Sequence, residues 1–180
     1  MKKLVPYEYP KKLEKYIKLR DGIKIFFRPI KPSDADIWVE LYNSLSKNTK
    51  YLRFFSNMPK PTQKMIEKYT KIDYINNFAI IAIYNENGID KMIGVVRYGL
   101  NPPGSDSAEL AVVVADKWQG KGLGTKMLLY MLRVMQKRGV KKVKGDVFLQ
   151  NDKMMQLMGE SGFDFIKEDA YGIRHFEFNL

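Results

Sequence analysis

Cysteine is absent from this 180-residue chain, and histidine occurs once, as His175. Without cysteine there is no disulfide, no thiol nucleophile and no thiolate metal site, and one histidine makes no histidine-rich metal cluster. Any catalysis must rest on carboxylates, hydroxyls, lysines or the backbone. Long apolar runs are missing too: none approaches the roughly 20 residues that span a bilayer, and the N-terminus carries no apolar signal core. The expectation is a soluble cytoplasmic protein with no membrane partner. Acidic residues are in the minority, 20 against 31 basic ones, for a net charge of +11. That surplus suits an anionic ligand or an acidic partner. The basic residues are spread along the chain, with a modest cluster at Arg133, Lys137, Arg138, Lys141, Lys142 and Lys144 on what should be solvated faces. The spread favours solubility and an anionic cofactor over direct nucleic-acid binding.

What is present is the material of a folded domain: 45% hydrophobic and 13% aromatic residues, with no internal repeat. Residues 1–14 carry Pro6 and Pro10 among lysines and tyrosines and read as an extended arm or short cap, leaving 15–180 as the domain. Alternation over Tyr16–Arg20 and Ile23–Arg28 around Asp21-Gly22 predicts a hairpin. Ser33 is a plausible N-cap for a helix over about 34–45, with Ile37, Trp38, Leu41, Tyr42 and Leu45 at helical spacing. Tyr51–Phe55 reads as a second short helix whose aromatics belong to the core, and Pro61-Thr62 opens a third. Phe78–Tyr84 and Met92–Tyr98 form a second hairpin through Asn87-Gly88. After a loop over Asn101–Ser107 come a strand over about 108–115, a helix over about 124–138 ended by Gly139, and a strand over 143–149. A helix over about 152–160 follows, then a strand opened by Gly162-Phe163 and a last strand over Ile173–Phe178. This order implies a mixed sheet of about seven strands flanked by helices.

The most informative stretch is Ala108–Thr125. The apolar run Leu110–Ala115 is a buried strand; Gln119-Gly120-Lys121-Gly122-Leu123-Gly124 is a glycine-rich turn; the apolar residues from Met127 onward start a helix. A strand, a glycine turn and a helix N-terminus make an anion site, because the first helical N–H groups have no partner of their own. Lys121 would add charge to it. The spacing G-x-G-x-G is not the dinucleotide G-x-G-x-x-G, and Thr125 is misplaced for a P-loop.

These residues match instead the Q/R-x-x-G-x-G/A loop, and Ala108–Gly124 as a whole resembles the GNAT acyltransferase superfamily, specifically the subgroup of Pat-type protein lysine acetyltransferases. Asn151…Met154…Leu157…Gly162-Phe163 resembles a second motif of that superfamily. Leu19-Arg20-Asp21-Gly22, Arg28-Pro29-Ile30, Asp34-Ala35, Tyr51–Phe55 and Ile72-Asp73-Tyr74 are similar to the subgroup as well, so the likeness spans about 16–166. It implies an α/β (α+β) GNAT fold whose sheet is splayed between the strands at about 108–115 and 143–149.

The resemblance further implies acetyl-CoA as co-substrate, no metal, and acetyl transfer to the ε-amine of a lysine in a protein substrate. Backbone groups of Gln119, Gly120, Lys121, Gly122, Leu123, Gly124 and Thr125 would hold the pyrophosphate, and Val112, Val113 and Val114 with Asn151 the pantetheine arm. A backbone N–H of the valine run could also polarise the thioester carbonyl. Glu109 matches the subgroup's catalytic glutamate and would act as general base, through a water, on an amine that is protonated at neutral pH. Partial burial would raise its pKa. Met158 stands where many GNAT enzymes carry a tyrosine as general acid. His175 is expected to be a packed or surface residue, and Asp73 and Tyr74 to order the acceptor loop; Arg97 and Glu177 stay undiscriminated. Two rival readings remain: acetylation of a small-molecule amine, and a non-catalytic acyl-CoA-sensing or nucleic-acid-associated module. Nucleic acid would otherwise enter only through a DNA-binding substrate.

Overall fold

Alternating and β-branched segments resolve into eight strands among the described residues, matching the segments read from the sequence and the expected sheet of about seven. They are β1 (Lys15–Lys18), β2 (Lys24–Pro29), β3 (Asn77–Glu86), β4 (Ile89–Leu100), β5 (Ser107–Val114), β6 (Lys142–Phe148), β7 (Ile166–Ala170) and β8 (Ile173–Asn179). The computed structural model describes residues 8–55, 59–160, 162 and 164–180. One sheet holds all eight in the order β1-β2-β3-β4-β5-β6-β8-β7. Every neighbour pair is antiparallel except β5 with β6, which run parallel. A parallel pair needs a crossover, and α4 (Leu123–Lys137) supplies it.

Five α-helices among the described residues cover the two faces. α1 (Ala35–Ser44), α2 (Lys47–Phe54) and α3 (Gln63–Thr70) lie against one, α4 and α5 (Asp152–Glu160) against the other. Strand β3 shows why both faces are covered. Phe78, Ile80 and Ala82 belong to the core under α4, while Ala79, Ile81 and Ile83 belong to the core under α1. A strand apolar on both sides must be buried on both. The described part of the N-terminal segment packs down as well: Leu13 and Tyr9 lie against the α4 core, and Tyr130 Oη donates to Leu13 O at 2.8 Å.

Several boundaries differ from the sequence reading. Ser33 does not cap α1; Pro32–Asp34 is a 3-10 turn and Asp34 stands at the helix N-cap, its carboxylate committed elsewhere. The Arg28 guanidinium donates to both Asp34 oxygens at 2.7 Å, and Lys31 N–H donates to the same carboxylate at 2.7 Å. The second helix begins at Lys47 rather than near Tyr51, because Ser46 Oγ accepts from Thr49 N–H and caps it. The strand expected from Gly162-Phe163 starts only at Ile166, and Phe163 lies outside the described residues.

Candidate active site

Strand β5 pairs with β4 from Ala108 opposite Leu100 to Val114 opposite Gly94. Its pairing with β6 is confined to Ser107, Ala108 and Glu109. Beyond Glu109 the two parallel strands part, which is the splay expected from the sequence. A cleft of about 1070 Å³ occupies the gap and is lined by Glu109, Val112–Val114, Gln119, Gly124 and Asn151 together.

The register says which backbone groups face that gap. Ala115 N–H donates to Ile93 O, which makes Ala115 opposite Ile93 a hydrogen-bonded pair. Such pairs alternate along an antiparallel ladder, so Val113, Ala111 and Glu109 turn their backbone toward β4. Leu110, Val112 and Val114 turn theirs toward the gap. The Val114 carbonyl is taken by Gln119 Nε2 at 2.9 Å. The Val112 peptide and the Val114 N–H remain on the open edge, available to a ligand that adds itself as a strand. Val113 is buried in the α1 core.

At the far end of the cleft the chain turns into α4. Gly120 and Gly122 have φ of 74° and 78°, and Gly122 is the N-cap. A side chain there would be forced into the left-handed region, which glycine alone enters without cost. The turn leaves the first N–H groups of α4 without intrahelical acceptors. Gln119 holds the turn in place, with Lys153 Nζ donating to its Oε1 at 2.6 Å. Gly124 and Gln119 line the cleft; Gly120, Lys121, Gly122, Leu123 and Thr125 do not. The Leu123 side chain is fully buried, the Thr125 hydroxyl donates to Glu160 at 2.9 Å, and Lys121 Nζ lies 5.1 Å from the centre of the Trp118 ring. These three can reach an anion in the cleft through backbone groups only, apart from a swing of Lys121. Asn151 caps α5, its Oδ1 accepting from Met154 N–H at 3.2 Å, so its amide nitrogen is the group left for a ligand.

Glu109 sits where β5 and β6 separate, on the α1–α3 face of the sheet and opposite Gly99. The expected partial burial is absent: the side chain is exposed, because its cross-strand neighbour has no side chain to cover it. Asn101, in the loop after β4, donates its amide to Glu109 Oε1. Asn101 escaped the sequence reading since only the fold returns that loop to β5.

Helix α2 roofs the cleft. Tyr51 and Phe55 stack on Phe148 of β6, with ring centres 4.9 and 4.5 Å apart, so of the three aromatics expected in the core only Phe54 packs there. Its N-terminus is tied to the turn after β5: Asp116 accepts from Ser46 N–H at 2.9 Å, Ser46 Oγ at 2.8 Å and Thr49 Oγ1 at 2.7 Å. Partial burial works to raise the Asp116 pKa, but these donors outweigh it and hold the carboxyl below its ordinary value. A depressed folded pKa gives stability that is present above the unfolded value near 3.9 and lost as pH falls through the folded one. Asp116→Asn should therefore cost about 1 kcal/mol at pH 7, kept small by solvent screening of an exposed carboxylate. That deficit should shrink as pH falls through the depressed folded pKa, which denaturation at neutral and at strongly acidic pH would check.

The remaining polar residues separate clearly. Asp73 orders the loop before β3, accepting from Ile75 and Asn77 N–H and from the Asn76 amide. Tyr74 is buried and donates to Ile30 O at 2.6 Å. Glu177 pairs with Lys142 and Lys144 across β6 and β8. His175 is a surface residue, as expected, with Nδ1 2.5 Å from Asp146 Oδ1 on the β6–β8 wall of the cleft. Arg97 of β4 and Arg53 of α2 both line the cleft, beside Glu109, Tyr69 and Lys68. Met158 is buried in the core under α4 and offers no hydroxyl.

Comparison with known proteins follows the same lines. A family model described as acetyltransferase (GNAT) family matches residues 38–163. An acetyltransferase of Pseudomonas aeruginosa is 26% identical over 145 residues, 81% of this chain and 77% of its own length. Acetyltransferase Pat of Mycolicibacterium smegmatis is 26% identical over 153 residues, covering 85% of this chain; the chain spans only 45% of that protein. The crystal structure of the GNAT domain of S. lividans PAT superposes with a TM-score of 0.87 at 30% identity, covering 96% of this chain and 100% of that one.

Proposed function

We propose, since the chain belongs to the acetyltransferase (GNAT) family, that it transfers an acetyl group from acetyl-CoA to the ε-amine of a protein lysine. Membership makes it an N-acetyltransferase, and GNAT acetyltransferases use acetyl-CoA. The lysine acceptor is our reading, supported by the likeness to two Pat proteins. One observation carries the assignment of roles: a single cleft runs from the α4 N-terminus, along the open edge of β5, to the Glu109 carboxylate.

The residues fit the co-substrate end to end. N–H groups of the Gly120–Gly124 turn bind the pyrophosphate, where their partial positive charge and the helix dipole add. The Val112 peptide and Val114 N–H, with the Asn151 amide, hold the pantetheine arm as an added strand. Acetyl-CoA supplies an activated carbonyl with a thiol leaving group. Glu109 takes a proton from the acceptor ammonium through a water, leaving a neutral amine. The amine nitrogen attacks the thioester carbon, a backbone N–H of β5 stabilises the developing oxyanion, and the carbon–sulfur bond breaks. The nitrogen gives up its second proton to solvent as the intermediate collapses, and solvent protonates the departing thiolate, because Met158 has no proton to give.

The test is thiol release from acetyl-CoA over a panel of lysine proteins, lysine peptides and small amines. Turnover on protein lysines at least about tenfold above any small amine, as kcat/KM, supports the reading. Turnover confined to a small amine such as a polyamine replaces the acceptor and keeps the site. Acetyl-CoA binding without turnover on any acceptor sinks the reading in favour of an acyl-CoA sensor.

A further inference from the structure

Buried charges are ordinarily paired, and buried N–H groups ordinarily have acceptors. Arg53 and Arg97 break both rules in one place. Each is half-buried, and Arg53 Nε and Arg97 Nη1 are shut off from solvent with no hydrogen-bond partner. Among the described residues no carboxylate forms an ion pair with either, and Glu109, on the same face of the sheet, is turned to Asn101 instead. Their protein contacts are aromatic. The Arg97 guanidinium lies 4.6 Å from the centre of the Tyr69 ring, and that of Arg53 lies 4.9 Å from the Phe54 ring while also bonding the Tyr69 hydroxyl. Lys68 Nζ adds a third cation, 5.7 Å from the Tyr69 ring.

Such contacts only partly offset the cost of burying two like charges together. Burial first, and then repulsion from Arg53, lowers the Arg97 pKa to about 10; burial lowers Arg53 as well. Guanidinium groups keep their charge in proteins at neutral pH. Two guanidinium groups without carboxylate partners among the described residues, on one wall of the cleft, have the charge and donors to hold an anion. They are not part of the pyrophosphate end. Arg97 pairs in register with Ala111, one step along β5 from Glu109 and on the same face. The geometry therefore lies on the acceptor side.

We infer that Arg53 and Arg97 form a carboxylate-binding subsite that takes an acidic group carried by the acceptor close to the amine that reacts. The inference rests on the acceptor entering beside Glu109, as proposed above. The planar guanidinium fork suits a carboxylate held by paired hydrogen bonds. Two sources share that chemistry: an Asp or Glu flanking the acceptor lysine in a protein, and the α-carboxylate of a free amino acid.

The experiment compares matched acceptors: lysine peptides with Glu or Gln at each of the two positions on either side of the lysine, and free lysine against lysinamide. At one position, or for free lysine, the acidic acceptor should exceed its amide partner in kcat/KM by about tenfold or more, mostly through KM. Which arm shows the preference identifies the source. In Arg97→Gln the ratio should fall to within about twofold of one, and in Arg53→Lys it should fall part of the way, with the KM for acetyl-CoA unchanged. Removing an unpaired buried charge should leave the melting temperature of Arg97→Gln no lower than wild type. Equal rates for every acid and amide pair, or a preference that survives both substitutions, overturns the subsite. Should no acceptor turn over at all, the lysine-transfer reading fails by itself. Calorimetric binding of the same Nε-acetylated peptides then decides: acid-selective binding lost in Arg97→Gln upholds the subsite, and equal or absent binding overturns it.

Discussion

Glu109→Gln should lower kcat by at least about 100-fold, the usual scale for loss of a general base, and leave the affinity for acetyl-CoA unchanged. Glutamine keeps the shape of the side chain and an oxygen able to accept from the Asn101 amide. What it loses is basicity, and a lysine ammonium with an ordinary pKa near 10.4 then reaches its neutral form only through solvent. The side chain is exposed, so stability should not change. The variant should regain rate as pH rises toward the amine pKa, because hydroxide increasingly does the work of the carboxylate. A pH profile of kcat for wild type and variant, with acetyl-CoA titrated separately, checks all three points. A loss below about fivefold at neutral pH would remove Glu109 from the proton path and leave amine deprotonation to solvent.

The largest effect on stability is expected from Asp34→Ala, at about 3–5 kcal/mol. Asp34 and Arg28 have side chains only 5% and 14% exposed, and their two parallel hydrogen bonds of 2.7 Å join the start of α1 to β2. Burial alone would lower the Arg28 pKa; the bonds and charge of Asp34 outweigh it and hold it above its ordinary value. Removing Asp34 strands that cation against the sheet and frees the Lys31 N–H. For a chain of this length the melting temperature should fall on the order of 10 °C, readable by calorimetry. The double variant Arg28→Met/Asp34→Leu should recover most of the loss, since an apolar pair replaces a buried ion pair at little net cost. Failure to recover would mean that the pair also fixes the path of the chain into α1.

Arg28 and Asp34 also mark the boundary of what sequence can tell. Six residues apart, Arg28 reads as the end of a strand and Asp34 as the first residue of a helix, and local rules give each a local role. Only the packing of α1 on the sheet turned the two side chains toward each other.

The order of elements, the hairpins at Asp21-Gly22 and Asn87-Gly88, and the strand–turn–helix of Ala108–Met127 were all determined by sequence alone. They depend on short-range forces: backbone conformations that glycine permits, side-chain periodicity, and helix-capping groups within a few residues. The family resemblance also singled out Glu109 as the candidate base, because its place at the head of the valine run is a local matter too. The cleft was different. Its walls come from β4, β5, β6, α2 and α5, and the open backbone edge at Val112 and Val114 exists because β6 leaves β5 after three paired residues. Asn101 reaches Glu109, and Asp116 and the Arg53–Arg97 pair reach the cleft, from loops and elements distant in the chain. Their environment of burial, charge and missing partners is a sum over neighbours brought together by tertiary packing. The sequence set what each residue could do, and the fold decided which of them meet.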